Sequence, residues 1–258
     1  LFKIKHYLEI HQELKGLTKF IFINLNFINS KYIIKNVFIS KGLSNFYKNK
    51  TKNYIILHDG VDVDKFKFNK NIKKINKITY TGSLYKGRGI EKIINIAKKL
   101  PEKNFYIFGK RSERFKNVPR NVKIKSFVPH YNVPKILNFS DLLLLPYSKK
   151  VSINSKNFDD DIAKFTSPIK LFEYLASGTP IISSNLKVLR EILKNNYNAI
   201  LINKFENINV WVSVIKNLSK RKKFLKKISI NAKKTALNYT WVKRANVYLN
   251  FHKKYLNI

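Results

Sequence analysis

The sequence predicts an α/β protein built on a doubly wound parallel sheet, and two observations carry that expectation. Short β-rich runs alternate, from about residue 36 onward, with stretches whose apolar residues recur at helical spacing. One of those runs, "DLLLLPY" (141–147), is apolar on both faces, as a strand covered by helices on each side must be. Alternation of this kind implies right-handed crossovers. Such sheets bind ligands at the carboxyl ends of their strands, near the point where the strand order reverses.

Taken in order, "NVFIS" (36–40) reads as a strand followed by a helix over 41–50, and "YIILHDGVD" (54–62) as a strand entering a turn at Asp59-Gly60. "KITYTGS" (77–83) is a strand and "LYKGRG" a glycine-punctuated loop. "IEKIINIAKKL" (90–100) has apolar residues at 90, 93, 94, 96, 97 and 100, the spacing of a helix, which Pro101 ends. Strands follow at 104–110 and 121–128, a short helix at 132–140, and the strand 141–147. The polar stretch from Ser148 to Lys164 is the longest loop. A helix over 167–177, a strand over 179–184, a helix over 187–195 and a strand over 198–203 come next. Helices over 207–218, 219–237 and 241–256 complete the chain. A ligand is therefore expected at the loops after 77–83, 104–109, 121–128 and 141–147.

Composition narrows the class. A hydrophobic fraction of 44% and an aromatic fraction of 14% are those of a globular protein rather than a disordered one. The absence of cysteine excludes disulfides, thiolate metal sites and a cysteine nucleophile, and fits a reducing, cytoplasmic setting. Lys and Arg number 52 against 15 Asp and Glu, a net charge of +37. The lysines are dispersed and mixed with asparagine and isoleucine, not gathered into a stripe, so a nucleic-acid partner is not expected. Such a uniform Lys/Asn/Ile enrichment reads first as the composition of an AT-rich genome, and weak attraction to anionic lipid, as a peripheral contact at the inner face of the membrane, is the functional reading that remains. "FIFINLNFI" (20–28) is too short, and too interrupted by Asn24 and Asn26, to span a bilayer. The chain starts with leucine and contains no methionine, so it is expected to lack its own beginning.

The most informative segment is "TSPIKLFEYLASGTPIISSN" (166–185). Ser167 is placed to cap a helix, Pro168 to occupy its first position, and Gly178 to stop it in the left-handed conformation. The amides from Ser167 through Ile169 to Lys170, with the positive end of the helix dipole, suit a diphosphate. Glu173 lies on the face of Ile169 and Lys170, where a carboxylate can accept hydroxyl hydrogen bonds from a ribose. Alone, the pattern reads more readily as a capped amphipathic helix with a solvated Glu.

The full string is similar to the nucleotide-binding signature of bacterial glycosyltransferase family 4 (group 1). "LHDGVDVDKF" (57–66) resembles that family's interdomain segment, "YTGSLYKGRGIEKII" (80–94) its first phosphate loop and "DLLLLPYS" (141–148) the strand before the signature. "YTWVKRA" (239–245) resembles the start of its terminal helix. The motifs occur in the family's order over about 36–250. The resemblance implies a GT-B fold: 1–62 as the end of a first, acceptor-side Rossmann-like domain, 63–238 as the nucleotide-sugar domain, and 239–258 as a helix crossing back. It implies retaining, metal-independent transfer, without a cofactor, from a nucleoside-diphosphate sugar to a cell-surface polysaccharide or lipid-linked glycan acceptor. Glu173 matches the ribose-binding Glu, Gly82 and Ser83 fall in the phosphate loop, and Lys86 matches its lysine, a catalytic cation. "YLEIHQELKG" (7–16) is similar to a first-domain stretch whose His faces the donor sugar, which would place His11, with Glu9, beside the cleft. An ordinary histidine at a strand end is the competing reading.

Two departures stand out. Many members carry a Glu eight residues before the ribose Glu, where this chain has Phe165, and an Arg where it has Ser83. Arg88 is either the substitute for that missing cation or a solvated loop arginine. Gly109 and Val128, after their strands, are candidates for the nucleotide base, or else turn and core residues. The aspartates 159–161 are read as a solvated run rather than metal ligands.

Overall fold

The computed structural model describes residues 4–67, 74–110, 115–152 and 161–256. Two parallel sheets form. The first, in the order β1-β2-β3, comprises β1 (His6–Ile10), β2 (Ile33–Phe38) and β3 (Tyr54–Ile56). A short helix α1 (Gly16–Lys19) and irregular turns join β1 to β2, and α2 (Lys41–Tyr47) follows β2. Asn36, fully buried on β2, ties the joining segments down: its Nδ2 donates to the carbonyls of Ile28 and Asn53, both at 2.9 Å.

The second sheet contains β4 (Lys77–Thr81), β5 (Asn104–Phe108), β6 (Val122–Lys125), β7 (Leu142–Leu145), β8 (Ile181–Ser184) and β9 (Ile200–Ile202). Its order is β6-β5-β4-β7-β8-β9, all parallel, so the direction of winding reverses between β4 and β7. That reversal is the doubly wound expectation in full. The helices are α3 (Ile90–Lys98), α4 (Val133–Phe139), α5 (Ile169–Ser177), α6 (Ile208–Leu218), α7 (Lys222–Ala236) and α8 (Trp241–Leu256). β7 is buried along its whole length, as its unbroken leucine run requires. α5 is buried from Leu171 to Ser177, so it is a central helix rather than an amphipathic surface one, and Gly178 ends it at φ 64°.

One expected helix does not form. Residues 187–195 yield a single 3-10 turn, Leu189–Glu191. Asn198 takes the backbone groups a helix would use: its Nδ2 donates to Ile192 O at 3.0 Å and its Oδ1 accepts from Lys194 N at 2.7 Å. The strand expected to run from 54 into the turn at Asp59-Gly60 stops at Ile56.

α8 returns to the first sheet. Tyr7 of β1 meets Tyr248 edge-on, with ring centres 4.8 Å apart, and donates its hydroxyl to the Tyr248 carbonyl at 2.9 Å. Among the described residues no helix is long and apolar enough to cross a membrane.

Candidate functional site

The switch point between β4 and β7 is built from three directions. From β4 come Tyr80 and the loop through Gly82 and Ser83; from the chain just beyond β7 comes Tyr147; across the opening lies the N-terminus of α5. Tyr174 pins α5 to the end of β4, its hydroxyl accepting from Thr81 N at 2.8 Å. One turn back, Lys170 turns its side chain inward. Its Nζ donates to Tyr80 Oη at 2.8 Å and lies 4.1 Å from the Tyr80 ring centre, while Tyr80 Oη donates to Ser83 O at 2.8 Å. Burial first, then the nearby Arg88 charge, hold the Lys170 ammonium well below the ordinary lysine range, against the opposing pull of Glu173.

Gly82 and Gly109 exist for close packing at this point. A Cβ on Gly82, which has φ +122°, would stand 2.0 Å from Lys170 Nζ. A Cβ on Gly109 would stand 1.8 Å from the Gly82 carbonyl oxygen. The space beside Gly109 where a Cβ would stand is therefore taken by the backbone of the loop after β4, as the turn-residue reading of that glycine expects.

Arg88 is buried, not a solvated loop arginine. Its Nη1 donates to Tyr147 Oη at 2.9 Å and its guanidinium carbon lies 5.0 Å from that ring centre, yet its Nε has no partner. Lys86, two residues earlier, is exposed, and its carbonyl accepts from Ser152 N at 3.1 Å. The loop thus sends one cation inward and leaves one at the surface.

The helix start also differs from expectation. Pro168 is extended (φ −75°, ψ 120°) and is itself the cap of α5, so Ser167 stands one residue too early to cap. Ser167 Oγ is buried without a partner. Ile169 is half exposed at the mouth of the crevice. Of the first-turn amides, that of Leu171 donates to Pro168 O at 2.8 Å, while those of Ile169 and Lys170 precede any intrahelical acceptor and point out of the positive end of the helix.

Glu173 is 6% exposed. Its Oε1 accepts from His130 Nε2 at 2.7 Å, and His130 opens the 3-10 turn that follows β6. Nothing in the sequence singled out His130; it is a lone histidine 43 residues from its partner, and only the fold joins them. Val128, two residues earlier, is half-buried in the same connection.

His11 lies at the junction of β1 with α8. Its Nε2 donates to Glu9 Oε1 at 2.7 Å, and Glu9 also accepts from Arg244 and, at 2.6 Å, from the Tyr248 hydroxyl. Burial pushes Glu9 up, but Tyr248, Arg244 and His11 together outweigh it and hold the carboxyl below its ordinary range. Phe165 faces the first sheet. It joins the core of Ile10, Phe38 and Leu43, and its carbonyl accepts from Ser40 Oγ at 3.0 Å. Glu191 reaches across to the start of α2, accepting from the Lys41 amide at 2.7 Å and the Gly42 amide at 3.1 Å. These contacts flank a cleft of about 1220 Å³ between the two sheets, lined by Leu14, Phe46, Phe165 and Val188 among others, and by none of the expected donor residues. Of the aspartates 159–161, Asp161 lines this cleft, and Asp159 and Asp160 lie outside the described residues. Among the described residues no three His, Asp or Glu side chains gather to hold a metal ion.

Comparison with known proteins places this architecture. In structure the chain is similar to TarM of S. aureus, at 17% identity and a TM-score of 0.71, over 96% of this chain and 50% of TarM. It is similar to HepE of Anabaena, solved with UDP and glucose, at 11% identity and a TM-score of 0.72, over 98% and 71% of the two chains. The C-terminal domain of LpcC, a glycosyl transferase group 1 family protein from Francisella tularensis, matches 69% of this chain with 97% of its own, at 16% identity and a TM-score of 0.54. The chain thus spans about half the length of TarM. No curated protein matches it in sequence. The likenesses give the fold, which is of the GT-B type with Rossmann-like sheets. The sequence model of the glycosyl transferases group 1 matches residues 62–235, the whole six-stranded sheet with its crevice, and the chain belongs to that family.

Proposed function

We propose that the chain forms the nucleotide-sugar-binding part of a glycosyltransferase that moves a sugar from a nucleoside diphosphate to a glycan or lipid-linked acceptor. One observation carries the reading: a buried carboxylate, Glu173, shares a switch-point helix with the leading amides of Ile169 and Lys170, and buried Arg88 flanks the Tyr147 ring together with the Lys170 ammonium. A carboxylate for ribose hydroxyls and positive charge for phosphates are what a nucleoside diphosphate needs. Ser167, Pro168, Ile169 and Lys170 supply the amide end, Gly82 and Ser83 the facing loop, and Val128 lies on the side where the base would rest. HepE, solved with UDP and glucose, supports the same ligand class.

In the transfer, the bond between the anomeric carbon and the diphosphate oxygen breaks, and its electron pair leaves with the phosphate. A bond to the acceptor oxygen forms on the same face of the sugar, giving retention, and the proton of the acceptor hydroxyl passes to the departing phosphate oxygen. Fixed cations carry the leaving charge, so the reading is metal-independent. Lys86 at the loop surface and His11 with Glu9 are proposed to border the reacting sugar. The acceptor is proposed to enter by the interdomain cleft, with peripheral contact at an anionic membrane. Because Phe165 is committed to the first-sheet core, donor-sugar recognition falls to other residues.

Calorimetry with UDP-, GDP- and ADP-sugars tests the reading. Glu173→Ala is expected to weaken the preferred nucleotide about ten- to hundredfold, the loss for charged hydrogen bonds in a buried site. If no nucleotide binds, or the substitution leaves affinity unchanged, the ribose assignment fails. Transfer measured with a matched acceptor separates an enzyme from a nucleotide-sugar-binding protein.

A further inference from the structure

We propose that the side chain of Lys170, and not only its amide, contacts the diphosphate and donates to the departing phosphate oxygen. The proposal rests on the nucleotide reading above and extends it to a catalytic residue. Three features place positive charge at one spot, with only the pull of Glu173 to offset it. Lys170 sits in the first turn of α5, the end of a helix that repels a cation. Its ammonium is crowded by protein, with Tyr80 Oη at 2.8 Å as its hydrogen-bond partner, which occupies one of three donors. None of the ion pairs among the described residues includes it. The third feature is Arg88: the Tyr147 ring has Lys170 Nζ 5.7 Å from its centre and the Arg88 guanidinium 5.0 Å from it, so both cations flank one phenol.

Buried charges are ordinarily paired. Here the nearest acid on the helix, Glu173, gives its Oε1 to His130. Helix end, ammonium and guanidinium all disfavour one another until an anion arrives, and a diphosphate at the switch point reverses every one of these terms. When the sugar–oxygen bond breaks, negative charge accumulates on the phosphate, where a second donor from Lys170 is free to strengthen.

The charged and titratable groups facing Lys170 are Tyr80 on β4, Arg88 on the following loop, Tyr147 beyond β7 and Glu173 on α5. Burial and Arg88 depress the ammonium, so a bound diphosphate is expected to draw a proton onto it. The test is calorimetry at about pH 9 in buffers of different ionisation heat. It compares UDP, GDP and ADP with the matching nucleosides, on the wild-type chain, Lys170→Met and, as a second uncharged variant, Lys170→Gln. Diphosphate affinity is expected to fall about ten- to hundredfold in both variants, nucleoside affinity to change less than about threefold, and proton uptake to vanish. Unchanged diphosphate affinity and proton uptake in folded variants overturn the role of Lys170 while leaving the nucleotide reading intact. Failure of the wild-type chain to bind any nucleoside or diphosphate overturns both.

Discussion

Arg88 and Arg244 are each 8% exposed, and the protein treats them in opposite ways. Arg244, on α8, meets the carboxylate of Glu9 and the carbonyls of Leu57 and, at 2.8 Å, His58. Arg88, at the switch point, meets a phenol and the carbonyl of Ser152 at 3.5 Å, and keeps an unpartnered Nε. The first charge is consumed in closing the structure, since it joins the terminal helix, β1 and the chain after β3 into one contact. The second is held in reserve. A buried cation with its carboxylate is evidence of architecture, and one without it is evidence of a ligand.

The sharpest way to break this comparison is to remove both charges in parallel. Arg244→Met strands Glu9 and two carbonyls and is expected to cost about 3 kcal/mol, toward the lower end for a broken buried pair because Glu9 keeps access to water. Arg88→Met is expected to leave stability within about 1 kcal/mol of wild type, because it strands no carboxylate. Urea unfolding measures both. Nucleotide affinity should move the other way, falling in Arg88→Met and holding in Arg244→Met. Equal stability losses in the two variants would remove the distinction between a spent and a reserved charge.

A smaller effect is a dependence on pH. Lys170 has a folded pKa below its unfolded one, so the unfolded chain holds more protons between the two values, and stability rises with pH across that window. The penalty is fully present below the folded pKa and disappears toward the ordinary lysine range. Lys170→Met is therefore expected to be more stable than wild type by about 1 kcal/mol near neutral pH. That advantage should shrink as the pH rises toward about 10. A gap that stays constant in thermal melts across this range would show that Lys170 is not the titrating group.

The sheet and the place of its crevice were legible because they follow from local pattern: alternation fixes a parallel sheet, and a parallel sheet fixes where ligands go. The position of Glu173 on the switch-point helix was legible because it lies on the same helix as the rest of its motif. What escaped was everything made by two distant segments. The sequence pointed to the amide of Lys170, whereas its side chain folds back onto Tyr80, 90 residues away. Arg88 could be read as solvated because its burial depends on Tyr147, 59 residues on. The helix expected over 187–195 failed to form because the competing groups sit on Asn198, just outside the periodic stretch. Ser167 was misjudged by one residue, within the ordinary latitude of helix starts.

Glu173 completes the comparison from the acidic side. It is a buried carboxylate whose described hydrogen-bond partner, the His130 side chain, is 70% exposed. A contact with so much water on one side resembles a surface pair, and such pairs contribute about 0–1 kcal/mol. His130 donates to Oε1, which leaves Oε2 for a ribose hydroxyl, so the two interactions are compatible and the histidine acts as a prop for the carboxylate. His130→Ala is then expected to change stability by less than about 0.5 kcal/mol. Nucleotide binding should weaken only about two- to threefold, the cost of freeing one carboxylate rotamer. Calorimetric titration decides between two arrangements. Tighter binding in His130→Ala would mean that the histidine occupies the place of the ribose, and that nucleotide must displace it. A modest loss would mean that Glu173 is already aimed when the nucleotide arrives.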